Sequence, residues 1–214
     1  MKTWLRYLFF LLLVRPITLV ILGLNIRHRE RLPKQGAAIL VANHNSHLDT
    51  LVLFSILPLR LLPKIRPVAA MDYFFRNPVL AWFSLHIIGI IPIRRKRTGA
   101  EGEEDPLKPC HDALERGEIL LYFPEGTRGE PEQMNPIRSG IARLCESRPD
   151  LPVFPIFMHG LGKALPKGEL ILVPFFCDVF VGEPLHWNGG VESFRAEVEE
   201  KLMALSKEGN FHVS

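Results

Sequence analysis

Short apolar runs alternate with helix-length segments along most of this 214-residue chain, and that alternation limits the folds open to it. The apolar runs lie at 37–42, 66–70, 88–93, 118–123, 152–157 and 170–175. The stretches 48–57, 73–86, 104–116, 138–147 and 192–206 are long enough for helices. Strands written as unbroken apolar runs are covered on both faces. The pattern therefore predicts an α/β fold with a largely parallel sheet. The last segment places Val191, Phe194, Val198, Leu202 and Leu205 on one stripe of an amphipathic helix. The length suffices for one domain with a sizeable core, expected over residues 30–214, behind an apolar, membrane-associated helical segment over 1–29.

That N-terminal segment is strongly apolar from 4 to 26, but Arg15-Pro16 interrupts it. The uninterrupted run Tyr7–Val14 is too short to cross a bilayer, which takes roughly 20 residues. A single span would hold Arg15 near the hydrocarbon centre, at about 2.5–3.5 kcal/mol. Pro16 would also break the helical ladder. Two short helices in the membrane interface avoid both costs, with Arg15 reaching the headgroups on the cytoplasmic face. The alternatives are a tilted single span and a cleaved signal peptide, although no A-x-A-like cleavage site follows. An apolar content of 47% and a mean hydropathy of +0.12 agree with a membrane-facing surface. The net charge of +3 is too small to imply nucleic acid. Its basic residues are clustered, however: Arg27, Arg29, Arg31 and Lys34 form one group, Arg94, Arg95, Lys96 and Arg97 another. Such groups suit anionic headgroups or phosphorylated substrates. Cys110, Cys145 and Cys177 are far apart and odd in number, which fits a reducing compartment. Zinc-site spacings, the nucleophile elbow and the Walker phosphate loop are absent, and Gly160-Leu161-Gly162 lacks the third glycine of a dinucleotide fingerprint.

Two of the apolar runs end in ionisable blocks, where α/β sheets build their sites. Asn43-His44-Asn45-Ser46-His47-Leu48-Asp49 follows the run 37–42. A histidine takes a proton near neutral pH, and a carboxylate orients it. Five positions on a regular helix mean about 140° of rotation, so His44 and Asp49 meet only if His44 precedes the helix and Asp49 lies in its first turn. The competing reading is a capping box, Ser46-His47-Leu48-Asp49, with Asp49 satisfying a backbone N–H. Phe123-Pro124-Glu125-Gly126-Thr127-Arg128 follows the next block's strand. It reads either as a turn or as a phosphate pocket. Gly126 would allow close approach, Thr127 donate a hydroxyl, Arg128 supply a planar fork and Glu125 hold an arginine in place. Gly89-Ile90-Ile91-Pro92-Ile93-Arg94-Arg95 ends in two arginines, and strand alternation places Arg94 and Arg95 on opposite faces. His47, His86, His111, His159 and His186 have no partner at an informative spacing.

Taken together, these blocks resemble those of the 1-acylglycerol-3-phosphate acyltransferase family. That family carries N-H-x-S-x-x-D, G-x-I-x-x-x-R, F-P-E-G-T-R and a proline-rich strand ending in glycine. Here they stand in that order as Asn43–Asp49, Gly89–Arg95, Phe123–Arg128 and Pro152 through Gly160. The resemblance covers about residues 30–165 and implies an αβα acyltransferase fold. It implies His44 and Asp49 as the catalytic pair, with Arg95, Glu125, Gly126, Thr127 and Arg128 around an acceptor phosphate. Gly129, Arg138 and Arg94 depart from the residues common at those places, which bears on the headgroup more than on the chemistry.

The implied reaction moves a fatty acyl group from a thioester of acyl-carrier protein or coenzyme A to the hydroxyl of 1-acylglycerol 3-phosphate, giving phosphatidic acid. A thioester is already activated, so a base suffices and no metal or redox cofactor is expected. Two alternatives keep the fold: an acyltransferase for another lysolipid, and a non-catalytic protein binding anionic lipid. A pure binder has no need of the His44/Asp49 pair.

Overall fold

The computed structural model describes residues 2–74, 77–94, 105–130, 133–165, 173 and 175–209. Among the described residues, seven strands form one sheet: β1 (Leu24–Arg27), β2 (Ala38–Ala42), β3 (Ile65–Ala70), β4 (Ile91–Ile93), β5 (Ile119–Tyr122), β6 (Val153–His159) and β7 (Cys177–Val181). Their spatial order is β1-β7-β6-β2-β5-β3-β4. Only the β6–β7 pairing is antiparallel; the other neighbours run parallel. Every residue of β2 and β5 is buried, which is why both read as continuous apolar runs.

Side chains alternate across β2 and sort into two cores. Ala38, Leu40 and Ala42 face a layer made by α1 (Thr3–Ile21) and α2 (Leu48–Ile56). Ile39 and Val41 face α4 (Lys108–Glu115), α5 (Gly140–Glu146) and α6 (Val191–Glu208). A further helix, α3 (Pro78–Ile88), packs against α1 through Phe83 and Phe9. Asn77 starts it by accepting from the Val79 and Leu80 N–H groups, with Pro78 at its first position. Helices on both faces of a mostly parallel sheet are the αβα layering expected. The stripe Phe194, Val198, Leu202 and Leu205 is buried as its spacing requires.

Pro155 lies inside β6, where a proline usually fails for want of an N–H. Val153 exchanges both hydrogen bonds with Leu185, and the Pro155 carbonyl accepts from Gly182 N–H at 2.8 Å. The missing donor falls between those two contacts, where the partner chain has already left β7. A Cβ on Gly182 would sit 2.7 Å from Pro155 Cγ, so that crossing needs glycine.

Three readings of the N-terminal region change. A single helix, Thr3–Ile21, replaces the two short ones. On both sides of Pro16 it widens to i→i−5 hydrogen bonds, Arg15 N–H to Phe10 and Leu22 N–H to Ile17, so the missing donor does not break it. Arg15 turns to the protein instead of the headgroups. It donates to the carbonyls of Ser55 and Leu57 at 3.3 and 3.0 Å, capping the C-terminal end of α2. Finally, residue 29 marks no break in packing. Phe10, Val14 and Leu22 belong to the same core as α2, and Leu24–Arg27 adds the edge strand β1, which its alternating, half-exposed sequence conceals. The expected strand at 170–175 lies largely outside the described residues, and the strand that pairs with β6 is Cys177–Val181.

Arg6 is the second bond between α1 and the domain. Its buried guanidinium donates to Ile65 O at 2.7 Å and Ile88 O at 2.9 Å, and lies 5.4 Å from the Phe54 ring centroid. Arg6→Met keeps the bulk and strands both carbonyls. Stability should fall by about 1–3 kcal/mol, read as a lower urea midpoint at unchanged m-value. An unshifted midpoint would show that α1 is not integral to the domain.

Candidate active site

Beyond Ala42 the chain leaves β2, and residues 43–47 bridge to α2. Their polar side chains are spent on backbone. Asn43 exchanges hydrogen bonds with Met158 of β6, donating to its carbonyl at 2.8 Å and accepting from its N–H at 2.7 Å. Asn45 donates to Glu130 O and Gln133 O. Ser46 donates to Leu165 O and accepts from Leu48 N–H. His44 is left with its ring toward a cavity of about 490 Å³ at the C-terminal ends of β2, β5 and β3.

Asp49 falls in the first turn of α2, and its side chain is 1% exposed. One oxygen, Oδ2, lies 2.9 Å from His44 Nδ1 and accepts the N–H groups of Asn45 at 2.7 Å and Ser46 at 2.8 Å. One atom thus meets both the His44 ring and two backbone N–H groups. A carboxylate acceptor at Nδ1 assigns the proton to that nitrogen and leaves Nε2 as the basic one. The ring stacks on Phe123, with centroids 4.0 Å apart and planes at 20°. Nothing in the spacing of the sequence identified this partner, because it comes from the end of a different strand.

Glu125 takes a different place from the one expected. It does not line the cavity; it is 2% exposed, and its oxygens accept from His44 N–H at 2.7 Å and Asn135 N–H at 2.8 Å. Burial pushes its pKa up, and the two backbone donors oppose that shift. A carboxylate beside a bound phosphate would repel it, whereas here Glu125 clamps the backbone that carries His44. The Gly129 N–H closes the clamp by donating to His44 O at 2.9 Å.

Gly126, Thr127 and Arg128 do line the cavity. Gly126 has φ +73°, and the Arg138 side chain lies against it, 3.1 Å from where a Cβ would stand. Arg128 Nη1 donates to His47 Nε2. Burial, then the neighbouring Arg128 and His44 charges, depress the His47 pKa, so this imidazole stays neutral and accepts. Arg95 lies outside the described residues. Arg94, placed by alternation on the far face, lines the cavity instead: β4 ends at Ile93, and the alternation ends with it. Arg138 and Arg143 also line the cavity, from α5 and its approach. Among the described residues, four arginines share it with one exposed carboxylate, Asp105. Leu51, Val68, Ile88, Ile90 and Ile93 supply an apolar wall. Among the described residues no three metal-ligating side chains converge.

The arrangement joins an imidazole held by a buried carboxylate, a cluster of arginines and an apolar wall. That set fits transfer of a group onto the hydroxyl of an amphiphile with an anionic head.

Comparison with known proteins agrees. The family model described as Acyltransferase matches residues 23–159. A chloroplastic 1-acyl-sn-glycerol-3-phosphate acyltransferase from Arabidopsis thaliana is 31% identical over 165 residues, covering 76% of this chain and 44% of that protein. The 1-acyl-sn-glycerol-3-phosphate acyltransferase of Bacillus subtilis (strain 168) is 27% identical over 168 residues, 77% of this chain and 74% of that one. The chain thus spans less than half of the plant relative and about three quarters of the bacterial one. The crystal structure of the 1-acyl-sn-glycerophosphate acyltransferase from Thermotoga maritima superposes with a TM-score of 0.77 at 20% identity, over 100% of this chain and 83% of that one, which establishes the shared fold.

Proposed function

The chain belongs to the acyltransferase family, and on that premise we propose that it transfers a fatty acyl group from an acyl thioester to the free hydroxyl of 1-acylglycerol 3-phosphate, yielding phosphatidic acid. The observation that carries this reading is the 2.9 Å contact between His44 Nδ1 and a buried Asp49, in a cavity that also holds Arg128. His44 Nε2 takes the hydroxyl proton as the oxygen attacks the thioester carbonyl. Asp49 holds the tautomer and stabilises the imidazolium. The C–S bond then breaks, and the imidazolium returns its proton to the departing thiolate. The thioester of acyl-carrier protein or coenzyme A enters as co-substrate, and these steps use no metal or redox cofactor.

The arginines hold the acceptor phosphate and supply remote binding energy. Their number favours a phosphomonoester dianion over a lysolipid whose headgroup carries its own cation. Arg128→Ala should raise the apparent KM for 1-acylglycerol 3-phosphate by about 10–100-fold and leave that for the thioester nearly unchanged. Arg128→Lys should recover only part, since a point charge lacks the planar fork. Arg94→Ala should act in the same direction. Arg60, bonded to Lys34 O away from the cavity, serves as the control. An equal effect of Arg60→Ala in steady-state kinetics would replace the pocket with a diffuse charge.

The protein works at a membrane surface in this reading, on its cytoplasmic face. Support comes from α1, whose outer side exposes Trp4, Leu8, Leu12 and Val20 while its inner side is bonded to the domain from Arg6 to Thr18. A helix held along its length lies on the domain, which fits interfacial seating better than crossing. The cysteines are free, as a reducing compartment requires.

A further inference from the structure

The cavity lies across the end of the sheet, and its two sides differ. The layer with α2 packs on one face of the sheet and that with α5 on the opposite face. On the α2 side the imidazoles have partners: His44 has Asp49, and His47 has Arg128. The α5 side contributes Tyr122, Arg138, Ser139 and Arg143. Ser139 stands at the N-cap position of α5 yet makes no capping bond. Tyr122 is 8% exposed, and its hydroxyl lies against Gly140, where a Cβ would run into it. Burial pushes the Tyr122 pKa up and the Arg138 charge opposes that shift, so the hydroxyl stays protonated and able to donate. Among the described residues, none forms a hydrogen bond or ion pair with the side chains of Tyr122, Arg138, Ser139 or Arg143. Asp105, the acidic residue of the lining, accepts from the Leu107 N–H. A buried hydroxyl without a partner is costly, and guanidinium groups beside it repel each other. Donors gathered in this way point to an anion that arrives with a substrate.

We infer that Tyr122, Arg138, Ser139 and Arg143 form a second anion subsite, which takes the phosphate of the acyl donor. The occupant follows from charge and from reach. Arg94 and Arg128 balance the phosphomonoester dianion of the acceptor, which leaves Arg138 and Arg143 uncompensated. The acceptor phosphate is joined to the reacting hydroxyl through a short piece of glycerol backbone. It therefore stays near His44, on the side where Arg128 meets His47. An anion on the α5 side belongs to a longer molecule. Thioesters of acyl-carrier protein and of coenzyme A both carry the acyl group on a pantetheine arm that ends in a phosphate, and that shared arm supplies the length. The apolar wall comes from α2, β3, α3 and β4, so acyl chains leave the α5 side to the polar arm. The inference rests on the thioester reading above and narrows the acceptor's share of these four arginines to Arg94 and Arg128.

Three donors with the same acyl chain separate the possibilities: the acyl-carrier-protein thioester, the coenzyme A thioester, and acyl-pantetheine, which ends in a hydroxyl and has no phosphate. Each is assayed with the purified full chain and 1-acylglycerol 3-phosphate on phosphatidylcholine vesicles, and kcat and KM are measured for both substrates. Tyr122→Phe removes only the hydroxyl oxygen, and Arg143 is exposed, so both variants keep the packing of the core. The wild-type protein should favour a phosphate-bearing thioester over acyl-pantetheine in kcat/KM. Arg143→Gln should cut that preference by about 10–100-fold and Tyr122→Phe by about tenfold, through KM for the donor. A cut seen with only one carrier supports the subsite and names the donor that it serves. An undiminished preference in both variants would overturn the inference, as would an equal loss with all three thioesters. A rise in KM confined to 1-acylglycerol 3-phosphate would give the subsite to the acceptor and also overturn it, with the reaction itself standing. No transfer from any thioester by the folded wild-type chain would overturn the reaction and the subsite together.

Discussion

His44→Ala should lower acyl transfer by about 10²–10⁴-fold in a protein that remains folded. The separation of the two effects follows from how the residue is held. Its N–H donates to Glu125 and its carbonyl accepts from Gly129, and both are backbone bonds that alanine keeps. Only the ring is lost, with its Nδ1 contact to Asp49 and its stacking on Phe123. Asp49 Oδ2 still receives the N–H groups of Asn45 and Ser46, so the loop stays capped. The stability cost should be about 1 kcal/mol, set by the lost stacking and one hydrogen bond. Turnover and a denaturation curve on the same preparation check both halves. Near-wild-type turnover would remove His44 as the base.

Asp49→Asn should damage the rate at least as much, on the order of 10³–10⁴-fold, while costing at most about 2 kcal/mol of stability. The amide oxygen can stand where Oδ2 stands and keep accepting from Asn45 and Ser46. It carries no charge to stabilise an imidazolium, and an amide rotated to place its NH₂ toward Nδ1 would favour the wrong tautomer. The capping role survives and the orienting role does not, although both use one atom. A variant that melts early yet turns over normally would reverse that assignment and leave Asp49 as a cap alone.

The central strands were legible because parallel strands buried on both faces leave unbroken apolar runs, as in Ala38–Ala42 and Ile119–Tyr122. Edge strand β1 was not: Leu24 and Ile26 are half-buried, Asn25 and Arg27 exposed, and four such residues look like a linker. Pro16 misled because its effect on a helix was judged from the i→i−4 ladder alone. The flanking turns shift register, and the surrounding packing holds the helix through the proline. Within the site, His44 and Asp49 could be paired because they are close in sequence and the ordered blocks fixed their context. The Phe123 stack and the His47–Arg128 bond join the ends of β2 and β5, whose proximity exists only once the sheet forms. Glu125 was expected beside a phosphate from the resemblance of its block to the family pattern. The sequence did not show its burial, and an acidic side chain that far inside finds backbone N–H donors.

The most direct test of the account is an acyl-transfer assay of the purified full chain on lipid vesicles, with an acyl thioester and three acceptors: 1-acylglycerol 3-phosphate, its dephosphorylated monoacylglycerol, and 1-acylglycerophosphocholine. Products are identified by mass. The oriented His44 beside the arginine-lined cavity predicts phosphatidic acid as the main product, with the other two acceptors used far more slowly and all transfer lost in His44→Ala. Equal or faster acylation of monoacylglycerol or 1-acylglycerophosphocholine, or no transfer to any lysolipid by the folded, vesicle-bound protein, would contradict it.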